Sequence, residues 1–461
     1  MKKSILSPVA ALLLATSSFV LSLPALAHDD HHAAVEMLPG LDKQQIRLAD
    51  ITPYIERFQN HPVFTHQRIG TSYQGRPIHR FSVGSGDTVV LMWSQMHGDE
   101  STATPALFDL MQKIATDSHW REHWQDKITL HMIPMVNPDG AELAQRYNVQ
   151  GIDINRDARA LQTPEGRLLM QQGQALAPDF GFNLHDQSRY YEVGHTGKQA
   201  TISLLAPAFN QAKDMNEKRH RAMQLIGDLK TVGDALIPGY MGRYNDTFAE
   251  RAFGDNFAAM GISTILIESG AYPNDPNRQK AREVNGAMLV RAIDSIASAA
   301  YEQQTLAPYH SIPMNNSNSF KDVILDQVQV IDGAHNYRID IGVNRSDESG
   351  VIREVGDLSM FPAFERYQGK NYVYQAGRAH AIPAEGLVLS HHDYLKLIAQ
   401  GYTHFSGDAA QLSVRTHLPV LVNPRNLPGS RPQQRQQATF LLTEQDNVVM
   451  AVLAGVILQL Q

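Results

Sequence analysis

At 461 residues, 43% of them hydrophobic and 19% charged, the chain can bury a large core and is long enough for two domains. Its formal charge of −7 argues against a nucleic-acid partner held on a basic face. With no cysteine at all, disulfides, thiolate metal ligands and cysteine nucleophiles are excluded, so any metal must be held by nitrogen and oxygen.

The first 27 residues read as an export signal. Lys2 and Lys3 give a positive start, ILSPVAALLLATSSFVLSL an apolar middle, and Ala25-Leu26-Ala27 a small-residue cleavage site. This predicts export to the periplasm or the exterior, with a mature chain that begins near His28 and keeps no membrane anchor. Loss of Lys2 and Lys3 takes the formal charge from −7 to −9. His28-Asp29-Asp30-His31-His32 then forms a solvated tail. Residues 28–60 are too few for a large pro-domain, so activity is expected after signal cleavage alone.

Further along, TVVLMWSQ (88–95) is an apolar, strand-like run that leads through Met96-His97-Gly98-Asp99-Glu100 into the helical pattern ATPALFDLMQKIA. ITLHMIPMVN (128–137), DFGFNLH (179–185) and STILIES (263–269) are three more buried runs, most of them separated by segments of helix length. That alternation predicts an α/β fold with a mixed, largely parallel sheet flanked by helices. The segment 278–304 has helical apolar spacing at Val284, Met288, Ile293 and Ile296 and closes a first domain over 28–306. Residues 307–319, polar and Pro- and Asn-containing, read as a linker. Beyond it DVILDQVQVIDG, YRIDIGVNR, NYVYQAG, LSVRTHLPVLV and VVMAVLAGVILQL are short β-like runs, so 320–461 is expected to be a smaller, mostly β accessory domain. Ser390-His391-His392-Asp393 reads there as a helix start with a capping serine.

His97, Glu100, His185 and Glu268 each sit where an apolar run gives out, at the strand ends where open α/β sheets bind ligands. Two histidines and a carboxylate are a common zinc set in hydrolytic sites, with one position left for a water whose pKa drops to about 7. A lone His-x-x-Glu is weak evidence; the combination carries the signal. Taken singly, Glu268 reads as a strand-end carboxylate and Asn137-Pro138-Asp139-Gly140 as a turn.

Together, His97-Gly98-Asp99-Glu100, Asn137-Pro138-Asp139-Gly140, Arg146, Gly151-Ile152-Asp153-Ile154-Asn155-Arg156, His185 and Thr264-Ile265-Leu266-Ile267-Glu268 resemble, in order, the zinc metallocarboxypeptidases of the carboxypeptidase A-like, or funnelin, family. The resemblance covers roughly residues 50–300. It implies one zinc ion per chain on His97, Glu100 and His185, with Asp153 holding the second nitrogen of His97. Glu268 would be the base that takes a proton from the zinc-activated water, and Arg146 would steady the oxyanion. Asn155 and Arg156 would grip the terminal carboxylate of a peptide or muropeptide. Asn137-Pro138-Asp139-Gly140 would be scaffolding.

A mobile substrate-binding tyrosine is also implied, with Tyr240 and Tyr244 as candidates and Tyr244 favoured. Ala252-Phe253-Gly254-Asp255-Asn256 would line the terminal side-chain pocket, where Asp255 either selects a basic residue or stabilises its own loop. The interval of 85 residues from Glu100 to His185 is short for the family and implies trimmed loops. Asp186-Gln187 stands where small hydroxyl residues are usual. Two further readings stay open: a zinc amidase acting on muropeptides or N-acyl amino acids, as in the related aspartoacylase-like enzymes, and a non-catalytic relative that binds peptide or glycan.

Overall fold

The computed structural model describes residues 35–346 and 349–460; the segment read as an export signal and the histidine-rich tail lie outside them. Among the described residues, nine strands precede residue 300: β1 (Thr65–Thr71), β2 (Pro77–Val83), β3 (Thr88–Ser94), β4 (Ile128–Ile133), β5 (Phe180–Asp186), β6 (Glu192–Val193), β7 (Ile202–Leu205), β8 (Met241–Arg243) and β9 (Ser263–Ser269). All except β6 join one mixed sheet in the order β1-β2-β4-β3-β5-β9-β7-β8. The four central strands β4, β3, β5 and β9 are parallel, and they are the four apolar runs expected to be strands. β1, β2 and β7 bring antiparallel pairings at the flanks.

Side chains alternate across this sheet, so each central strand feeds two cores. Val90, Met92, Phe182, Ile265 and Ile267 face one layer. There they meet Ile55 of α1 (Leu48–Gln59), Phe108 of α2 (Ala103–Thr116), Leu229 of α6 (Glu217–Leu236) and Met288 of α8 (Gln279–Ser298). Between α2 and α6 come α3 (Ser118–Glu122), α4 (Pro138–Glu142) and α5 (Pro164–Leu176), and α7 (Phe253–Ala259) precedes β9. Leu91, Trp93 and Ile133 face the opposite layer, where they meet Leu169 of α5 and Phe257 of α7. The helix expected over 278–304 is α8 followed by a 3-10 turn at Ala300–Gln303.

Residues 307–319 are laid onto this first unit. Ala307–Ser311 is helical, and Tyr309 and Ile312 are buried in the first core. Asn315 and Asn316 pair with Val193 and Glu192. The remaining chain is mostly β: an eight-stranded sheet that opens with the hairpin Lys321–Asp332 and His335–Ser346 and ends with Asn447–Leu453 and Val456–Gln459. The final turn is Ala454-Gly455, both at positive φ (46° and 82°), which is the backbone a two-residue hairpin loop requires. One helix, His391–Ala399, interrupts this pattern, and Ser390 caps it by accepting from the Asp393 amide at 3.1 Å.

The two units share a latch. Asp322, fully buried at the start of the second sheet, accepts from the Tyr190 hydroxyl at 2.6 Å and pairs with Arg189. The Arg189 guanidinium also lies 4.6 Å from the ring centre of Phe364. Among the described residues no helix is long and apolar enough to cross a membrane.

Candidate metal and catalytic centre

Beyond β3 the chain must turn sharply to present His97 and Glu100. Gln95 takes a left-handed conformation (φ 50°) to begin that turn, and its side-chain amide donates to the carbonyls of Ile46 (2.8 Å) and Gly98 (3.0 Å). Gly98 lies directly against Gly140, and a Cβ at position 98 would come within 2.0 Å of the Gly140 carbonyl carbon. Asn137-Pro138-Asp139-Gly140 is thus the bed on which this loop rests. Asn137 Oδ1 accepts from the Gly140 amide at 2.9 Å, and the fully buried Asp139 accepts from Ser72 Oγ (2.8 Å), the Gln74 amide (2.8 Å) and Arg76 Nη1 (2.6 Å).

His97, Glu100 and His185 converge, with one donor atom from each lying within 4.8 Å of the others. Glu100 Oε1 is 2.7 Å from His97 Nδ1, and Oε2 is 2.7 Å from His185 Nδ1. Each histidine therefore turns Nδ1 inward and has its other nitrogen occupied. Asp153 Oδ1 lies 3.0 Å from His97 Nε2, and Asn155 Nδ2 lies 3.3 Å from His185 Nε2. Two oriented imidazoles and a carboxylate, each imidazole with an outer partner, fit a zinc ion in donor type and number.

The charges of the cluster are mutually supporting. Burial raises the pKa of Glu100, but His97 and His185 outweigh it and hold this carboxyl well below its usual range. Burial likewise disfavours charge on His97, yet Glu100 and Asp153 lift its pKa to about 9. For His185 burial prevails over Glu100 and lowers the pKa, which favours the neutral, ligating imidazole.

Glu268 is side by side with His185 on the neighbouring strand and on the same face. Burial first, then the negative charges of Glu100 and Asp186, push its pKa well above the ordinary carboxylate value, with His97 opposing. Arg146 reaches across the cluster, with Nη1 3.1 Å from Glu100 Oε1 and Nε 3.1 Å from Asp153 Oδ2. Asn155 sits on a 3-10 turn and accepts from the Phe253 amide at 2.9 Å, which ties it to the start of α7. Arg156 is exposed beside it and donates to the Asn155 carbonyl at 2.7 Å.

Tyr244 follows β8, with its ring centre 5.4 Å from that of Tyr191. Burial, then Glu268 and Tyr191, raise the pKa of its phenol, so it lies within the field of Glu268. Tyr240 instead packs on Tyr272 at 5.0 Å. Asp255 accepts from the Ala249 amide at 2.8 Å, so one of its oxygens is held by its own loop; burial lifts its pKa to about 6.

Three neighbours had no assigned role in the sequence reading. Tyr191 backs Tyr244, and Asn183 shares the face of His185 by strand alternation. Asp186, recognised there only as a departure, faces the other layer. Its Oδ2 accepts from Thr102 Oγ1 (2.7 Å) and lies 3.5 Å from Arg278, and its amide donates to Glu100 Oε2 at 3.1 Å. The period-2 rule alone would have found Asn183; Tyr191 left no local signal.

Residues 51–205 match the family model described as zinc carboxypeptidase. A probable carboxypeptidase 2 of Trichophyton verrucosum is 27% identical over 187 residues, which is 39% of this chain and 33% of that protein. Carboxypeptidase SOL1 of Arabidopsis thaliana is 24% identical over 271 residues, 47% of this chain and 52% of that one. The chain thus spans between a third and about half of these curated relatives. Among solved structures, a metallo-carboxypeptidase from Burkholderia cenocepacia aligns at 16% identity and a TM-score of 0.47 over 56% of this chain and 71% of its own. Carboxypeptidase A from Helicoverpa armigera aligns at 17% identity and a TM-score of 0.45, over 56% and 75% respectively. His97, Glu100, Arg146, Asp153, Asn155, Arg156 and His185 all fall inside the segment of this chain that is similar to the zinc carboxypeptidase family.

Proposed function

We propose that the protein is an exported zinc metallocarboxypeptidase that removes the C-terminal residue from peptides with a free terminal carboxylate. The observation that carries the reading is the convergence of His97, Glu100 and His185 beside Glu268, each at the end of a strand or on the turn that follows one. His97, Glu100 and His185 would hold the ion. Zinc, when bound there, supplies a Lewis acid that polarises the scissile carbonyl and acidifies water to a pKa of about 7.

The chain's own residues do the rest. Glu268, with its raised pKa, takes a proton from the attacking water and returns it to the leaving amine, so the products are a shortened peptide and one amino acid. Arg146, anchored by Asp153, presents a fixed guanidinium to the developing oxyanion. Asn155 and Arg156 receive the terminal carboxylate, with Asn155 preset by the Phe253 amide. Tyr244 closes over the bound residue from the side of Glu268. Asp255 shapes the terminal side-chain pocket by holding its loop. Residues 1–27 direct export.

The reading is tested by comparing a peptide with a free C-terminus against its C-terminal amide. Release of one residue from the first and none from the second is expected. Equal hydrolysis of both, or release only from muropeptides or N-acyl amino acids, would replace it with an amidase.

A further inference from the structure

The geometry points to a second substrate subsite, built jointly by the two units, that takes a carboxylate on the acyl side of the scissile bond. This rests on the peptidase reading above. A cleft of about 310 Å³ lies between the loop that follows β9 and the second unit, lined among others by Gln44, Arg189, Tyr272, Asn274, Arg278 and Phe364. That volume is at the lower end for a site that binds a small ligand or a side chain.

The cleft adjoins the catalytic centre through Arg278. Its Nη1 donates to the carbonyl of Ser269, the residue after Glu268, at 2.7 Å, and lies 3.5 Å from Asp186, the residue after His185. Strand alternation sets the direction. Asn183 and His185 face the layer of α5 and α7, where Asn155 is tied to α7, whereas Asp186 and Arg278 face the layer of α2 and α8. In this proposal a substrate whose terminal carboxylate sits at Asn155 extends its acyl-side residues across the strand ends toward the cleft.

The lining offers donors and few free acceptors. Nε and Nη2 of Arg278 meet no protein acceptor among the described residues, and the Arg189 side chain is 47% exposed. Both oxygens of Asp275, an acid in this wall, are occupied by the amides of Gln279 (3.0 Å) and Lys280 (2.7 Å). Asp186 and Asp322, which pair with the two arginines, have side chains 7% and 0% exposed. The accessible charge is guanidinium, the group best shaped for a carboxylate. Phe364 supplies an aromatic wall from the second unit, so the site is incomplete without it.

A carboxylate could come from an acidic side chain of an ordinary peptide or from a muropeptide stem. The test uses matched peptides with Glu or Gln at each of the three positions before the scissile bond, and a muropeptide with its stem carboxylate free or amidated. For the full chain, kcat/KM is expected to favour the carboxylate about tenfold at one position, and Arg278→Gln or Arg189→Gln to bring the ratio to about one. The arm that shows the preference names the source. The same pairs are titrated calorimetrically onto Glu268→Gln protein, so that selectivity in binding is read even if turnover, and with it the peptidase reading, fails. Absence of any preference in either assay, or a preference that both arginine variants retain, overturns the subsite.

Discussion

At the residue scale the centre depends on two kinds of carboxylate. Glu100 is held ionised by two imidazoles, while Glu268, with burial and like charges around it, has a raised pKa. In the proposed reading, environment alone separates a ligand, Glu100, from a base, Glu268. Glu268→Gln is expected to lower kcat by about 10²- to 10⁴-fold while zinc content stays at one per chain, measured by metal analysis alongside turnover. Because the base must be ionised, activity falls as pH drops through the raised pKa. The acid limb of kcat/KM should lie above the ordinary Glu value of about 4.3 and disappear in the variant. A limb that persists in Glu268→Gln would assign the titration elsewhere. Arg156→Ala should raise KM more than it lowers kcat, since a terminal carboxylate is gripped before and during the reaction alike.

At the element scale the site rests on closely packed turns. Gly98→Ala would drive a Cβ into the Gly140 backbone, and the loop bearing His97 and Glu100 would have to shift. Lost or weakened zinc binding with the fold retained is expected, read by metal titration and circular dichroism. Between the helices, Arg282 of α8 and Asp109 of α2 form a buried pair, with Nε to Oδ2 at 2.7 Å, and both also bond the backbone of Leu38. Asp109→Ala leaves the guanidinium without a partner in the core and should cost about 3–5 kcal/mol in urea denaturation.

Much of this level was legible in the sequence. The four central strands are covered on both faces, so each is a near-continuous apolar run, and His97, Glu100, His185 and Glu268 stand near where those runs stop. β1 and β2 were missed because THQRIGT and PIHRFSV are half-exposed flank strands rich in polar residues. β7 and β8 are too short to give a period. The histidine tautomers and the contact between Gly98 and Gly140 depend on residues far apart in the chain, which no local pattern encodes.

At the scale of the whole molecule, the second unit is fastened to the first. Residues 307–319 have the polar composition of a tether, yet Tyr309 and Ile312 anchor them in the first core. Asp322 joins the units through Tyr190 and Arg189, and the residue after Tyr190 backs Tyr244. Asp322→Ala should therefore split a single calorimetric transition into two and raise KM.

Acid should weaken the fold through two buried histidines. Burial depresses the pKa of His79 and of His131 to about 4. The unfolded chain then binds more protons below its histidine value of about 6.5, and stability is lost as pH falls from there toward 4. The urea midpoint should track that window and flatten in the double variant His79→Gln, His131→Gln.

The central claim is that one metal centre, worked by Glu268, releases terminal residues. Its most direct test is amino-acid release from a mixed peptide library by the purified protein with zinc, with chelator, and as Glu268→Gln. Single C-terminal residues released only by the zinc-loaded native protein are the expected result. No release, with one equivalent of zinc bound, or release that survives chelation, would contradict the account.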